Sequence, residues 1–243
     1  MHQRLLTAAT FLAAALLTAL LFFDPPGVTP AKSAAPKTPA GSVCIAVKPL
    51  SQYPALPTGC EATAAAMVLN YYGVTLSPAE FAAHWLPQST KFYQKGGTLY
   101  GPNPNEFFCG NPFNKAAYGC YAPVIAKAIN LNSTACKAQV LYGQTLKQLS
   151  ALYTQNGYPL LIWATMQMRP SATGKTWRLP NGQSFTWRSC EHCLVLVGQT
   201  ATHYLLNDPQ TGQTEAYEKA LCEQRFAELY SQAVLITKTR AAQ

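Results

Sequence analysis

The stretch Gln52-Tyr-Pro-Ala-Leu-Pro-Thr-Gly-Cys-Glu-Ala-Thr-Ala-Ala-Ala-Met-Val-Leu-Asn-Tyr-Tyr-Gly73 decides the fold of this chain. Its second half is a run of Ala, Met, Val and Leu that ends at Gly73, which predicts a helix with a glycine C-cap. Thr58 and Glu61 have the spacing of a Thr-x-x-Glu capping box, which would start this helix at about Cys60. Because the helix is apolar on nearly every side, we expect it to be buried.

Cys60 would lie in the first turn of the predicted helix. Unpaired backbone N–H groups and the positive end of the helix dipole favour a thiolate there, and the thiolate is the nucleophilic form of cysteine. The alternative is that Cys60 is a small buried residue, as free cysteines often are. The stretch alone leaves both interpretations open, so segments further along the chain must decide.

A second informative segment, Cys190 to Gly212, contains two apolar runs separated by Thr200-Ala-Thr202. This pattern predicts an antiparallel hairpin with its turn near position 201. His192, at the start of the first strand, would then lie opposite the residues around Asp208, at the end of the second. Pro209 cannot donate a ladder hydrogen bond, so we expect the carboxylate at the rim of the sheet.

Cys60, His192 and Asp208 together have the composition of a nucleophilic acyl-transfer site. In such a site the histidine takes the thiol proton and later protonates the leaving amine, while the carboxylate accepts from the other ring nitrogen. Each residue also has a structural interpretation: His192 as a strand-end residue and Asp208 as a turn former ahead of proline. The pair on one hairpin, with a cysteine at a helix start elsewhere, favours catalysis.

The motifs Gln52…Pro-Thr-Gly-Cys60-Glu, Glu-His192-Cys-Leu-Val-Leu-Val-Gly and Asn-Asp208-Pro resemble the stand-alone relatives of bacteriocin-processing peptidases. Those relatives belong to the double-glycine-leader peptidase group of the papain-like superfamily. The resemblance extends from about Ser42 to Thr237 and implies a papain-like cysteine peptidase. It implies Cys60 as nucleophile, His192 as base, Asp208 as the residue that orients the base, and Gln52 as a side-chain donor to the oxyanion hole.

One residue departs from the pattern of the resembled group. Glu61 stands where the peptidases fused to transporters commonly have glycine, so the resemblance does not carry the preference for a double-glycine substrate to this chain. It implies no cofactor. Hydrolysis through a thioester is the expected reaction. The alternatives are an amide-transfer or amidase enzyme with the same triad, and a catalytically inactive peptide-binding module.

The order of predicted elements gives an α+β fold with the nucleophile helix packed on an antiparallel sheet. Ser77 to Glu80 forms a second capping box, and residues 87–118 form a long irregular insertion that could wall a substrate cleft. The remaining expected elements are helices at 121–130 and 145–156, a strand at 159–165, a hairpin around Asn181-Gly182, a helix at 217–229 and a strand at 233–237.

The N-terminal part of the chain predicts a membrane anchor. Residues 1–24 combine Arg4 with a long apolar run, residues 25–41 are a tether rich in Pro and Ala, and residues 42–243 form the peptidase domain. The expected location is the bacterial cell envelope, with the domain outside the cytoplasm. Cleavage of the segment, and hence secretion, is the alternative.

The eight cysteines indicate disulfides if the domain lies outside the cytoplasm. With Cys60 set aside, up to three pairs are possible. Cys109 with Cys120 and Cys190 with Cys222 are the guesses, and Cys193 is expected to be a spare buried thiol. The group Cys190, His192 and Cys193 lacks a second ligand cluster at zinc-binding spacing, so no metal site is expected.

The net charge of +8 comes with few charged residues in total. It would suit anionic envelope polymers or acidic substrates, and it is also explained by solubility and the basic tether. Basic residues do not alternate with aromatics in a stripe, so nucleic acid is not indicated. The expected partners are a peptide or protein substrate and, through the N-terminal segment, the membrane; the domain is expected to be a monomer.

Overall fold

The computed structural model describes residues 43–239. The predicted anchor and the whole of the predicted tether lie outside this range. Among residues 43–239, no helix has the length and apolar character needed to cross a bilayer.

The described chain contains five α-helices and thirteen strands. The helices are α1 Cys60–Tyr71, α2 Pro78–Glu80, α3 Ala122–Asn132, α4 Leu146–Leu152 and α5 Lys219–Glu228. Shorter helical turns are the π-helical Phe81–Trp85 and the 3-10 segments Thr154–Asn156 and Met166–Met168. The strands are β1 Val43–Cys44, β2 Gln88–Ser89, β3 Tyr93–Lys95, β4 Thr98–Tyr100, β5 Phe108–Cys109, β6 Cys136–Tyr142, β7 Leu160–Thr165, β8 Ala172–Arg178, β9 Ser184–Ser189, β10 Glu191–Gln199, β11 His203–Asp208, β12 Gln213–Glu218 and β13 Gln232–Lys238.

The main sheet has seven antiparallel strands, in the order β12-β11-β10-β7-β13-β6, with β1 added on β10. Side chains alternate across this sheet, so its two faces belong to two hydrophobic clusters. Cys193, Val195 and Val197 of β10 share one cluster with α1 and α3, whereas Leu194 and Leu196 share the other with α4 and α5. The structure therefore confirms the α+β fold of papain type, with the Cys60 helix packed on an antiparallel sheet.

The β10–β11 hairpin confirms the predicted register. Val195 pairs with Asn207 and Leu196 with Leu206, so both pairs sum to 402, as a turn centred at 201 requires. The register then shifts by a bulge before Gly198. A Cβ at Gly198 would lie 2.1 Å from the carbonyl oxygen of Val43, so this glycine lets β1 approach β10.

The insertion 87–118 is only partly irregular. It contains β2 to β5, and its β3–β4 hairpin joins β8 and β9 in a separate four-stranded sheet. Aromatic rings hold this sheet to the domain: Trp187 of β9 stacks on Tyr121 with ring centroids 5.4 Å apart, and Trp177 of β8 lies 5.0 Å from Tyr118. The predicted hairpin around Asn181-Gly182 is the β8–β9 pair.

Three expectations about local structure are wrong or incomplete. Strand β6 was not predicted. The helix expected from Tyr217 begins at Lys219, because residues 213–218 pair with β11 as strand β12. The predicted capping box at Thr58 does not form: Gly59 is the N-cap, and the Thr58 hydroxyl lies within hydrogen-bond reach of the carbonyls of Pro112 and Asn114. The capping box at Ser77 is present.

The disulfides that the sequence suggested are not formed. All eight cysteines lie among the described residues, and each has a free thiol, which includes the proposed pairs Cys109–Cys120 and Cys190–Cys222. Cys193 is buried and free, as expected.

Candidate active site

Cys60 is the first residue of α1 and lies at the wall of a cleft. Its backbone N–H is one of the first-turn donors that have no acceptor within the helix. The side chain is 7% exposed, and the helix behind it is buried through Leu69. The packing of α1 on β10 therefore fixes the position of the sulfur relative to the main sheet.

The hairpin brings His192 and Asp208 into direct contact. His192 Nε2 lies 2.7 Å from Asp208 Oδ1, and both side chains are buried. The same carboxylate oxygen accepts the backbone N–H of Gln210 at 2.7 Å. Burial alone would raise the pKa of Asp208, but the hydrogen bond and charge of His192, with the N–H groups of Gln210 and Thr211, hold it below its usual value.

The cysteine and the histidine meet at one cavity. Its volume is about 350 Å³, and its wall includes Gln52, Cys60, Trp187, Glu191 and His192. The backbone of Cys193, the residue after His192, acts to lower the pKa of the Cys60 thiol, against the effect of burial. Since His192 Nε2 is engaged by Asp208, Nδ1 is the ring nitrogen that remains for the thiol.

The end of the insertion also lines this cavity, through Lys115, Ala117 and Tyr118. The C-terminal end of the insertion thus lies at the wall of the candidate cleft, while its aromatic residue Tyr118 also packs against Trp177. A larger cavity of about 850 Å³, lined by residues such as Tyr121, Arg188 and Tyr230, shares none of the predicted site residues.

Gln52 lies at the cavity with its amide nitrogen already in use. Nε2 donates to the carbonyls of Leu56 and Pro57, at 3.0 and 3.1 Å, and the side chain is 5% exposed. Its backbone N–H donates to Pro209, directly after Asp208. In this state Gln52 holds the loop that leads into α1, and its role in an oxyanion hole stays a prediction.

The surroundings of the Cys60 thiol differ from those predicted for an isolated helix start. Burial raises the pKa of the thiol well above its usual value, and the charges of Glu61 and Glu191 raise it further. The thiol donates to Glu61 Oε2 at 3.3 Å. The helix terminus favours a thiolate, whereas two neighbouring carboxylates oppose it if they are ionised.

Glu61 and Glu191 form a buried acidic pair that the sequence analysis missed. Glu61 Oε1 accepts the backbone N–H of Cys120 at 2.6 Å. Gly119 lies against both carboxyl groups: a Cβ on this residue would lie 2.6 Å from Glu61 Oε1 and 3.0 Å from Glu191 Oε2. The only sign of this pair in the sequence was the position of the two residues, since one glutamate follows Cys60 and the other precedes His192.

A metal ion has one candidate group among the described residues. The ligand atoms of Cys60, Glu61 and Glu191 lie within 4.8 Å of one another. Both oxygens of Glu61 already accept hydrogen bonds, from Cys120 N–H and from the thiol. In the described structure Glu61 therefore acts as a hydrogen-bond acceptor beside the thiol, and its oxygens are already engaged by protein groups.

Comparison with known proteins places this geometry in a family. The model of the Peptidase_C39 like family matches residues 44–234. The uncharacterized protein YvpB of Bacillus subtilis (strain 168) is 31% identical over 190 residues, which cover 76% of this chain and 71% of YvpB.

Two solved structures match this chain, the first of them with a similar fold. A crystal structure described as a C39-like peptidase from Bacillus anthracis is 25% identical, with a TM-score of 0.70, over 83% of this chain and 99% of that one. The peptidase domain of Streptococcus ComA, a bifunctional ABC transporter involved in quorum sensing, is 14% identical with a TM-score of 0.48, over 79% and 99%. As the motifs around Cys60 and His192 implied, the chain belongs to the Peptidase_C39 like family.

Proposed function

We propose that the domain is a cysteine peptidase that hydrolyses peptide bonds through a thioester on Cys60. The observation that carries this proposal is the buried His192–Asp208 pair, 2.7 Å apart, which lines the same cavity as a cysteine at a helix N-terminus. Membership of a peptidase-like family supports a peptide or protein as the substrate.

The first half of the reaction follows from these positions. His192 Nδ1 takes the thiol proton, and the sulfur attacks the carbonyl carbon of the scissile bond. Asp208 accepts from Nε2, which fixes the tautomer and stabilises the imidazolium. The Cys60 backbone N–H donates to the oxyanion as negative charge develops on it. The imidazolium then protonates the leaving amine, and the acyl group remains on sulfur as a thioester.

The second half reverses these proton movements. His192 removes a proton from water, the water oxygen attacks the thioester carbon, and the tetrahedral intermediate collapses with release of the acid. The sulfur regains its proton from His192. Each proton taken by the imidazole is thus returned, and the enzyme ends in its starting state.

The direct test is labelling of Cys60 with a peptide-based electrophile, followed by mass spectrometry. We expect one label per chain, on Cys60, and a loss of labelling rate of at least about a hundredfold in His192→Ala, because the base is removed. His203→Ala is the matched control, since His203 stands on β11 with its Nδ1 bonded to Thr202. It should label at the wild-type rate.

An unreactive Cys60 in folded, reduced protein would contradict the peptidase proposal and favour a peptide-binding module. If Cys60 is reactive, the next experiment is a proteomic screen for new protein termini, which compares the active protein with Cys60→Ser and identifies the peptide bonds that are cleaved. Addition of an amine acceptor separates hydrolysis from amide transfer, because a transferase would incorporate the amine into the product.

The N-terminal sequence supports a location at the cell envelope. We propose that residues 1–24 attach the domain to the membrane, with residues 42–243 outside the cytoplasm. Fractionation of cells expressing the full chain tests the attachment: the domain should sediment with membranes and be digested by protease added to intact spheroplasts. Protection from that protease would contradict the orientation.

A further inference from the structure

The mechanism leaves one buried group unused, the acidic pair beside the nucleophile. Glu61 is fully buried and Glu191 is 7% exposed. Glu191 Oε1 is buried and has no hydrogen-bond partner among residues 43–239. Two carboxylates this close cannot both be ionised at such burial without a large electrostatic cost.

Contacts show where a proton on this pair would act. Glu61 Oε1 accepts the Cys120 N–H at 2.6 Å, and Oε2 accepts from the thiol. Once the thiol has lost its proton to His192, Oε2 is the oxygen that can carry a proton. Oε2 is also the oxygen that lies 3.3 Å from the Cys60 sulfur. A protonated Glu61 would therefore point its O–H at the reacting atom.

We propose that Glu61 and Glu191 share one proton at neutral pH, and that protonated Glu61 donates a hydrogen bond from Oε2 to the Cys60 thiolate. This inference rests on the proposed function, since it concerns the same nucleophile. Glu61 touches the reacting sulfur and is a further catalytic residue. Glu191 acts through Glu61 and is a positioning residue.

The Cys60 thiolate is stable beside the two acids only if one of them carries a proton. Ionised Glu61 and Glu191 would repel the thiolate, which opposes the attacking form. With one proton on Glu61, repulsion by the neighbouring oxygen is replaced by donation to the sulfur. The proton count stays constant, because the thiol proton passes to His192 while the proton of the pair stays within the pair.

Other titratable groups near the pair do not supply this donor. They are His192, the phenol of Tyr121, whose pKa is raised by burial and by the charge of Glu191, and the thiols of Cys60, Cys109, Cys120 and Cys193. Burial raises the pKa of both carboxyl groups, and the charge of Glu61 raises that of Glu191. The hydrogen bonds from Cys120 N–H and from the thiol offset part of the rise at Glu61. Burial likewise raises the pKa of the thiols of Cys109, Cys120 and Cys193, so these stay neutral.

Two variants test the donor at sulfur. Glu61→Gln keeps both contacts, since its oxygen can accept from Cys120 N–H and its amide can donate to sulfur. Glu61→Met removes the donor at similar size. The thiolate population is measured at neutral pH by ultraviolet absorbance, as the difference between each protein and the same protein carrying Cys60→Ser.

We expect Glu61→Gln to keep the wild-type thiolate population within about twofold, and Glu61→Met to lower it by about tenfold or more, because a hydrogen bond to a charged group is lost. If Glu61 is an ionised, repelling group, both substitutions should raise the thiolate population. A raised thiolate population would overturn the proposal. If Glu61→Met does not fold, the measurement on Glu61→Gln alone is enough to decide.

Infrared spectroscopy observes the proton itself. We expect the wild type at neutral pH to show the C=O stretch of a protonated carboxyl group, and the double variant Glu61→Gln/Glu191→Gln to lack it. In Glu191→Gln the like charge is removed, so the band should titrate away about one pH unit lower than in the wild type. A wild-type spectrum without the band overturns the proposal. Neither readout needs a substrate, so an inactive protein that shows both would contradict the proposed peptidase and leave the shared proton in place.

Discussion

Substitution of Asp208 by Asn separates the charge of the residue from its geometry. Asp208 Oδ1 accepts from both His192 Nε2 and Gln210 N–H, each at 2.7 Å. In Asp208→Asn the backbone N–H of Gln210 still requires an acceptor, so the amide oxygen must take this position. The amide nitrogen then replaces Oδ2, which is buried and unpartnered within residues 43–239. The imidazole keeps its tautomer and loses only the negative charge behind it.

The size of the effect follows from this arrangement. A charge-assisted hydrogen bond is about twice as strong as a neutral one, so the imidazolium loses about 1.5 kcal/mol of stabilisation. We expect labelling of Cys60 by a peptide electrophile to slow about tenfold in Asp208→Asn. Asp208→Ala leaves the ring without its partner, and we expect a fall of about a thousandfold or more.

The assay is the second-order labelling rate at neutral pH, followed by mass spectrometry. Glu215→Gln is the control, because it removes one negative charge from the neighbouring strand β12, opposite Leu206. Equal losses in Asp208→Asn and Asp208→Ala would refute the reasoning, since the charge and not the geometry would then carry the effect. A wild-type rate in Asp208→Ala would remove the residue from the mechanism.

Three further predictions concern the stability of the site, each measured by urea denaturation. Gly119→Ala should lower the free energy of unfolding by about 2–3 kcal/mol, because its Cβ would meet Glu61 and Glu191 and its φ is +141°. Gly182→Ala, which has φ +85° and open space around it, should lower it by only about 1 kcal/mol. Equal losses in the two variants would contradict the close contact at Gly119. The pKa values of Glu61 and Glu191 are raised in the folded protein, so these groups stabilise the fold below the ordinary pKa of 4.5, and this stabilisation is lost as the pH rises through their pKa values in the folded state. The free energy of unfolding of the wild type, relative to that of Glu61→Gln/Glu191→Gln, should therefore fall as the pH rises. A relative free energy that stays flat or rises would show that the pair is not protonated. Gln52→Ala should cost about 1–2 kcal/mol, because two loop carbonyls lose their donor; an unchanged free energy of unfolding would show that these bonds do not hold the loop.

The parts of the fold that were predictable are those with a strong local pattern. The apolar run after Cys60 predicted α1, and the two apolar runs on either side of Thr200-Ala-Thr202 predicted the β10–β11 hairpin. Both patterns extend over consecutive residues, so they can be read from the sequence. Strand β6 was missed although its residues alternate between apolar and polar, and between more and less buried, from Cys136 to Val140, which is the pattern of a half-buried strand. The start of α5 was misplaced because pairing with β11, and not helix propensity, decides residues 213–218.

The candidate site was predictable only in part, for a related reason. The His192–Asp208 contact follows from hairpin register, which is a local property of the segment. The partner of Glu61 is the N–H of Cys120, 59 residues further along the chain, so no pattern near the helix start could reveal it. A capping box was the local interpretation of Glu61, and the tertiary contact took the same carboxylate.

The positions of the two glutamates explain why they act together. Glu61 follows Cys60 at the start of α1, and Glu191 precedes His192 at the start of β10, so the packing that brings cysteine and histidine to one cavity also brings the acids together. Either acid alone would place an ionisable group beside the thiol without a partner to hold its proton. We therefore expect the sulfur to tolerate an acid at position 61 only when position 191 can share the proton. This makes the pair, and not either residue, the unit on which the state of the nucleophile depends.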